Sequence, residues 1–137
     1  MDGPVTDHRN VNPPSLVRPR GYSHATVAAA GRTVYVGGQT GCDADGRYPD
    51  GLVDQFDRAA GNVVTALEAA GARPEHLVWM QIFTTDAAAY GAASREIGEA
   101  YRRRFGNHYP AMALVEVPRL FDGEALVELV GIAVVPG

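Results

Sequence analysis

Two segments of the sequence carry their apolar residues on one helical face only, and short β-prone segments lie before, between and after them. Apolar side chains recur every three or four positions in residues 56–70 and again in residues 90–105, which is typical of a helix that covers one surface. The order β-β-α-β-α-β-β predicts an α+β domain with two helices on one face of a sheet. The segments with strand character are 22–30, 33–36, 76–85, 112–117 and 126–135.

Individual residues indicate where several of these elements begin and end. Gly31 and Arg32 form a turn between the first two strand segments, which predicts a β-hairpin. Asp86 has the residue type and position of an N-cap for the second helix. Gly71 and Gly106 are placed to end the first and second helices.

Residues 1–20 differ in character from the rest of the chain. Prolines at positions 4, 13, 14 and 19 oppose regular structure in this stretch. The sequence therefore predicts a flexible N-terminal arm over residues 1–20 and a single domain over residues 21–137. A length of 137 residues suits one domain.

The strand segments also carry apolar residues for the sheet face that two helices leave uncovered. An apolar sheet face that stays in water is unfavourable, and burial against further copies of the chain is the simple solution. We therefore expect an oligomer.

Composition excludes several classes of partner and chemistry. The net charge is −4 and no apolar stretch is long enough to span a bilayer, so we expect neither a nucleic acid nor a membrane as partner. Residues 1–20 lack the apolar core of a secretory signal and Cys42 is the single cysteine, which together favour a cytoplasmic protein. All twelve basic residues are arginine, which excludes a Schiff base on lysine.

Nucleophilic and metal chemistry find little support in the sequence. Cys42 has no activating neighbour nearby in the chain. The four histidines are scattered, so no metal-ligand spacing appears and no metal is expected. The pair Gly37-Gly38 alone is not a phosphate-binding motif.

An ordered series of short motifs resembles the Rid (YjgF-like) family of enamine and imine deaminases. The resemblance covers residues 20–135 approximately, and the order and spacing of the motifs carry it, since no single motif is decisive. The motifs are Tyr22-Ser23-His24-Ala25, Val34 through Gln39, Gln55 through Ala72, Phe83 through Asp86, Tyr101 through Leu120 with Tyr109-Pro110-Ala111, and Val127-Glu128-Leu129 with Ile132-Ala133.

The resemblance implies a chorismate-mutase-like fold and a homotrimer, in which three sheets form a central barrel with the helices outside. It also implies a small-molecule substrate, bound in clefts between the subunits. Family members hydrolyse reactive enamines and imines to ketoacids and ammonia without a metal or a cofactor, so no cofactor is expected here.

The segment Pro110-Ala111-Met112 departs from the family pattern. In the family an arginine follows Pro-Ala and binds the substrate carboxylate through two parallel hydrogen bonds. Methionine carries no charge and cannot make this interaction, so the departure implies a substrate other than a simple 2-imino acid. Met112 and Leu114 share one strand face and are candidates for an apolar wall of the substrate pocket, with packing at a subunit interface as the alternative for Met112.

Three residues are candidates for catalysis. Glu128 matches the family glutamate that positions the attacking water, and a carboxylate in a cleft can orient water and accept its proton. Tyr22 matches a tyrosine that lines the family's pocket, and packing within the hairpin is the alternative. His24 shares the strand face of Tyr22 and is either an acid or base or a hydrogen-bonded structural group.

Three further residues are candidates for substrate binding. Gly38 lets the backbone approach a ligand or another segment closely. Gln39 offers an amide donor, although a bend before the following loop explains it at least as well. Trp79 shares a strand face with Gln81 and lines either the pocket or the trimer core.

Three functions are compatible with these residues. The first is a Rid-like hydrolase that acts on a reactive imine, enamine or related intermediate of a dedicated catabolic or biosynthetic pathway. The second is a non-catalytic trimer that binds a small molecule or another protein. The third is an ordinary 2-imino-acid deaminase in which Arg47 or Arg119 of a neighbouring subunit supplies the missing charge.

Overall fold

The computed structural model describes residues 7–137, and the part of the predicted arm that lies in residues 1–6 is outside the described residues. A 3₁₀ turn, Pro74–His76, precedes the fourth strand. The strands are β1 (Arg9–Val11), β2 (Ala25–Val27), β3 (Gly31–Gln39), β4 (Leu77–Thr84), β5 (Ala111–Glu116) and β6 (Val127–Pro136). The helices are α1 (Leu52–Ala69), α2 (Ala87–Ala92) and α3 (Ser94–Phe105).

Four strands form the main sheet, in the order β3-β6-β4-β5. Strand β6 is antiparallel to both of its neighbours, while β5 runs parallel to β4. A parallel pair needs a long crossover, and the segment that contains α2 and α3 supplies it. The predicted α+β architecture, with helices packed on a sheet, is confirmed.

The core lies between the helices and one face of the sheet. In β6 the side chains of Val127, Leu129 and Ala133 are completely buried in this core. Because successive strand residues point to opposite faces, Glu128 lies on the other face. The same alternation in β3 buries Val36 among the helices and leaves Tyr35, 76% exposed, on the opposite face.

Two predictions about the first third of the chain are wrong. The strand over residues 22–30 does not form a hairpin with the next strand, because β2 pairs with β1 whereas β3 pairs with β6. Residues 9–11 of the predicted flexible arm form β1, which binds β2 through a regular antiparallel register. Alternation identifies a strand but not its partner, and the prolines lie outside this short strand, so they do not oppose it.

The predicted second helix is divided in two. Ala93, with φ −100° and ψ 14°, ends α2, and α3 begins at the next residue. The N-cap prediction for Asp86 is confirmed, since its carboxylate accepts a hydrogen bond from the Ala89 N–H at 2.9 Å. Gly71 (φ +82°) and Gly106 (φ +72°) follow the last helical residues in the left-handed region, which confirms both as helix-ending residues.

Candidate functional site

The segment around Tyr22 is fixed to the beginning of β5. The Ser23 N–H donates to the Pro110 carbonyl at 3.1 Å, and the buried Ser23 hydroxyl donates to the Tyr109 carbonyl at 2.6 Å. Three residues later, in β2, the Thr26 hydroxyl accepts from the Ala111 N–H at 2.8 Å. These bonds bring the aromatic ring of Tyr22 alongside β5, about 90 residues away in the sequence. The two segments are joined by a single bridge, Ser23 to Ala111, and not by a strand ladder.

A cavity opens where this segment, β5 and the helices meet. It has two adjoining parts, each with a volume of about 370 Å³. Met112 and Ile82 line both parts. We call the part that Tyr22 and Leu114 line the outer part, and the part that Tyr101 and Tyr109 line the inner part. Three of the predicted site residues, Tyr22, Met112 and Leu114, therefore lie together, and the wall that Met112 and Leu114 provide is apolar.

Glu128 lies on the other face of the sheet from this cavity. Met112 packs against the core on the helix side, whereas Glu128 alternates away from it between two buried core residues. Within residues 7–137 the Glu128 carboxylate has no ion pair and no hydrogen bond. It lies against Gly38, where a β-carbon would come within 2.9 Å of Glu128 Cδ. Gly38 thus provides the space that this carboxylate occupies.

His24 makes hydrogen bonds to the N-terminal segment. Its Nε2–H donates to the Val17 carbonyl at 2.6 Å, and its backbone N–H donates to Asn12 Oδ1 at 2.8 Å. The ring meets Tyr22 edge to face, with 5.4 Å between the ring centres. In this arrangement His24 fixes the position of Tyr22, and it is not among the residues that line the cavity.

Gln39 and Trp79 also lie outside the cavity lining. The Gln39 side chain donates to the Gly37 carbonyl at 3.3 Å, at the bulge where β3 shifts its register against β6. Trp79 is paired in register with Ile132 of β6, and its side chain lies on the same sheet face as that of Gln81. Of the sequence-predicted residues, Tyr22, Met112 and Leu114 thus lie around the cavity, whereas Trp79 and Glu128 lie on the opposite face of the sheet.

Tyrosine rings form much of the inner cavity wall. The Tyr101 hydroxyl donates to the His108 carbonyl at 2.6 Å, and its ring stacks on Tyr109 with 5.1 Å between centres. Burial raises the pKa of Tyr90 to about 12 and holds the pKa of Tyr101 above its usual value as well. Both side chains therefore stay neutral to a higher pH than an exposed tyrosine, and neither brings a charge to the cavity.

Most of the lining residues were not predicted as site residues, and two of them are charged. Arg20 lines both parts of the cavity, and Arg102 lines the inner part. Arg20 falls in the stretch that the prolines assign to a loose arm, and Arg102 belongs to a basic run at a helix end, which is usually solvated. The one signal in the sequence is that Arg20 stands two residues before Tyr22.

The described part of the chain gives no geometry for a metal. No group of three or more histidine, cysteine, aspartate or glutamate side chains within residues 7–137 could hold a metal ion. None of the helices in the same residues is long and apolar enough to cross a membrane.

Solved structures of similar fold come from several organisms. A Rid-family protein of unknown function from Yersinia pestis superposes with a TM-score of 0.84, is 26% identical, and covers 93% of this chain and 98% of its own. A putative endoribonuclease from Thermotoga maritima gives a TM-score of 0.68 at 30% identity, over 94% of this chain and 98% of the other. The α+β fold that the resemblance implied is confirmed by these neighbours.

Sequence comparison leads to the same group of proteins. The family model described as endoribonuclease L-PSP matches residues 15–135. A RutC family protein, UK114 from Drosophila melanogaster, is 34% identical over 114 residues, which are 82% of this chain and 78% of the relative. The chain therefore belongs to the endoribonuclease L-PSP family, which includes the Rid and UK114 proteins.

Proposed function

We propose that the protein hydrolyses a reactive imine or enamine, with Glu128 orienting the attacking water and the cavity around Met112 holding the substrate. The observation that carries the proposal is that the Glu128 carboxylate is unpaired in the described residues. Gly38 leaves room for this carboxylate. A carboxylate without a protein partner is available to hold a water molecule and to accept a proton from it.

The reaction needs no redox step. An enamine first becomes the imine when its carbon takes up a proton and its nitrogen releases one. Water then adds to the imine carbon, so that a C–O bond forms while Glu128 accepts one proton from the water. Glu128 returns this proton to the nitrogen, which gives the carbinolamine. The hydroxyl proton of the carbinolamine then passes to the nitrogen as the C–N bond breaks, so that ammonia leaves and the C=O bond forms.

A site that uses both groups of residues requires more than one chain. Met112 and Glu128 lie on opposite faces of the sheet of a single chain. A trimer in which the sheets face inward would bring the Glu128 of one chain towards the cavity of the next. Exposed apolar side chains on the outer sheet face, Tyr35 at 76% and Val115 at 42%, support such an assembly.

The cavity wall supports a substrate with an apolar body. Met112 stands where the family's arginine would bind a simple 2-imino acid, Leu114 extends the apolar wall, and Tyr22 lines the same part of the cavity. We assign the protein to the turnover of one intermediate of a dedicated pathway, not to general removal of small 2-imino acids.

The name of the matching family suggests cleavage of RNA. The charge of this chain does not support that activity. The net charge of the chain is −4, and RNA binding depends on clustered positive charge. The sequence has one run of consecutive arginines, at positions 102–104, and two of them, Arg103 and Arg104, are paired with Asp57.

A competition assay tests the proposal. An amino-acid oxidase makes the imine of leucine or phenylalanine in place, and an amine oxidase makes a carboxylate-free imine from benzylamine. Semicarbazide traps whichever imine survives, and the semicarbazone is measured by its absorbance. The protein should lower the yield of semicarbazone with at least one of these imines, and Glu128→Gln should reduce that effect by about 100-fold.

Glu124→Gln is the matched control, since Glu124 is an exposed loop residue that lies away from the cavity lining. It should retain wild-type activity. Equal activity of the wild type and Glu128→Gln would remove Glu128 from the mechanism. If no imine is hydrolysed faster in the presence of the protein, the catalytic proposal fails and the non-catalytic binding trimer takes its place. Light scattering on a sizing column checks the trimer.

A further inference from the structure

The three consecutive arginines in the last turn of α3, at positions 102–104, do not all have the same role. Arg104 binds both carboxylate oxygens of Asp57, at 3.1 and 3.0 Å, and Arg103 binds one of them at 3.2 Å. These bonds tie α3 to α1. Arg102, the first of the three, takes no part in them and instead lines the inner cavity.

A second arginine, from the segment before Tyr22, lines the same cavity. Arg20 lines both parts of the cavity, and its position is fixed by the attachment of the neighbouring segment to β5 through Ser23. The guanidinium groups of Arg20 and Arg102 have no ion pair and no hydrogen bond to any residue in 7–137.

The cavity lining supplies positive charge and donors but no counter-charge. Neither an aspartate nor a glutamate is among the residues that line its two parts. The Tyr90 hydroxyl has no hydrogen-bond partner within the described chain, and burial keeps that hydroxyl protonated by raising its pKa to about 12. Two free guanidinium groups and a free hydroxyl donor complement an anion, and guanidinium binds a carboxylate through two parallel hydrogen bonds.

The remainder of the lining is apolar. Phe56, Ile82 and Ile97 are almost completely buried beneath it, and Met112 forms part of the wall. The volume of about 370 Å³ falls in the range of pockets that hold drug-sized ligands and is generous for a three-carbon acid. The ligand must therefore combine an acidic group with an apolar body.

We infer that this cavity binds a small organic acid with an aromatic or branched apolar body, whose carboxylate pairs with Arg20 and Arg102. The inference deepens the proposed function, because it names the class of substrate that the site would take. It also replaces the cations that the sequence suggested. Arg119 donates to the carbonyls of Leu120 and Phe121 in its own loop, and neither Arg119 nor Arg47 lines the cavity of its own chain.

Binding of two probes of equal skeleton tests the inference by calorimetry. Phenylpyruvate carries a carboxylate, and benzyl methyl ketone replaces that carboxylate with a methyl group. Phenylpyruvate should bind at least 10-fold more tightly than the ketone, and Arg20→Gln and Arg102→Gln should each weaken its binding by about 10-fold or more. Pyruvate, which lacks the apolar body, should bind more weakly than phenylpyruvate.

Arg95→Gln is the matched control, because Arg95 belongs to the same helix and its side chain is 88% exposed beside Glu99. It should bind phenylpyruvate as the wild type does. Equal affinity for the acid and the ketone would overturn the inference, as would unchanged binding in both Arg20→Gln and Arg102→Gln. Since phenylpyruvate is not hydrolysed, these results do not depend on the imine assay, and Glu128→Gln should still bind it.

Discussion

The carboxylate of Glu128 lies so close to Gly38 that a methyl group on residue 38 would overlap it, with only 2.9 Å left to Glu128 Cδ. Gly38 has no positive φ, so the backbone accepts alanine. Gly38→Ala should therefore fold but displace the carboxylate. We expect kcat/KM for imine hydrolysis to fall roughly 10- to 100-fold, as for other small displacements of a reacting group.

Gly37→Ala is the matched control for this experiment. A β-carbon at Gly37 would have no atom within 4 Å, and its backbone is equally permissive. Its kcat/KM should match the wild type. If Gly37→Ala and Gly38→Ala behave alike, the effect belongs to the strand and not to Glu128.

Asp57 should make a pH-dependent contribution to stability. Burial raises the pKa of its carboxyl, but the hydrogen bonds and charge of Arg104 and then of Arg103 outweigh burial, so the pKa lies below its usual value of 3.8. A lowered pKa stabilises the folded state above the unfolded pKa of about 3.9, and this contribution is lost as the pH falls through the folded value. Asp57→Asn should therefore lower the free energy of unfolding at neutral pH by about 0.5–1 kcal/mol.

Urea unfolding at neutral pH and at about pH 2.5 measures this effect. The difference between Asp57→Asn and the wild type should shrink towards zero in acid. Glu99→Gln is the control, since it breaks the exposed pair with Arg95, and it should change stability by no more than a few tenths of a kcal/mol, about the worth of such a helix pair. A difference that persists in acid would assign the effect to packing, not to charge.

Gln55 should be among the most sensitive polar positions. It is 3% exposed, and its Oε1 accepts from the Leu126 N–H at 2.8 Å. Its Nε2 donates to the carbonyls of Pro49 and Glu124 at 3.2 and 3.1 Å. Gln55→Met keeps the size but leaves these backbone groups without partners, which should cost about 2–4 kcal/mol of unfolding free energy.

Hydrogen exchange provides a local readout for this variant. The amide of Leu126 should exchange faster in Gln55→Met than in the wild type, while core amides of β4 should change only as much as global stability does. A loss of less than about 1 kcal/mol would show that water replaces the glutamine at little cost.

Tyr90 should make the protein sensitive to alkali. Burial raises its pKa to about 12, so the folded state holds the proton more tightly than the unfolded state, whose tyrosine pKa is about 10. The resulting stability is complete below about pH 10 and is lost as the pH rises towards 12. In Tyr90→Phe the free energy of unfolding should fall less over this range, as measured by urea unfolding. Tyr35→Phe, at an exposed ring, is the control for loss of one hydroxyl.

The local features of the fold could be predicted from the sequence. The strands over 76–85, 112–117 and 126–135 are observed with each end displaced by one residue, because apolar alternation is a property of neighbouring residues. The cap at Asp86 follows from its own side chain in the same way. The partner of β2 and the interruption at Ala93 depend on segments far away in the chain, and no local pattern contains that information.

The candidate site was predictable only in part for the same reason. Resemblance to the family brought Tyr22, Met112 and Leu114 into one list, and the structure brings them to one cavity. Arg20 and Arg102 come from segments that sequence patterns assign to an arm and to a solvated helix end. Their presence at one cavity depends on tertiary structure, to which the bonds of Ser23 to residues 109 and 110 contribute.

The central position of β6 has a consequence for how the protein forms in the cell. Residues 127–136 pair with β3 on one side and β4 on the other, and Gly31 is opposite Pro136. During synthesis, β3 and β4 leave the ribosome well before β6 and have no neighbour between them until it arrives. Contacts of such long sequence separation form slowly and leave strand edges open to other chains. The nascent protein should therefore rely on chaperones until its middle strand is made.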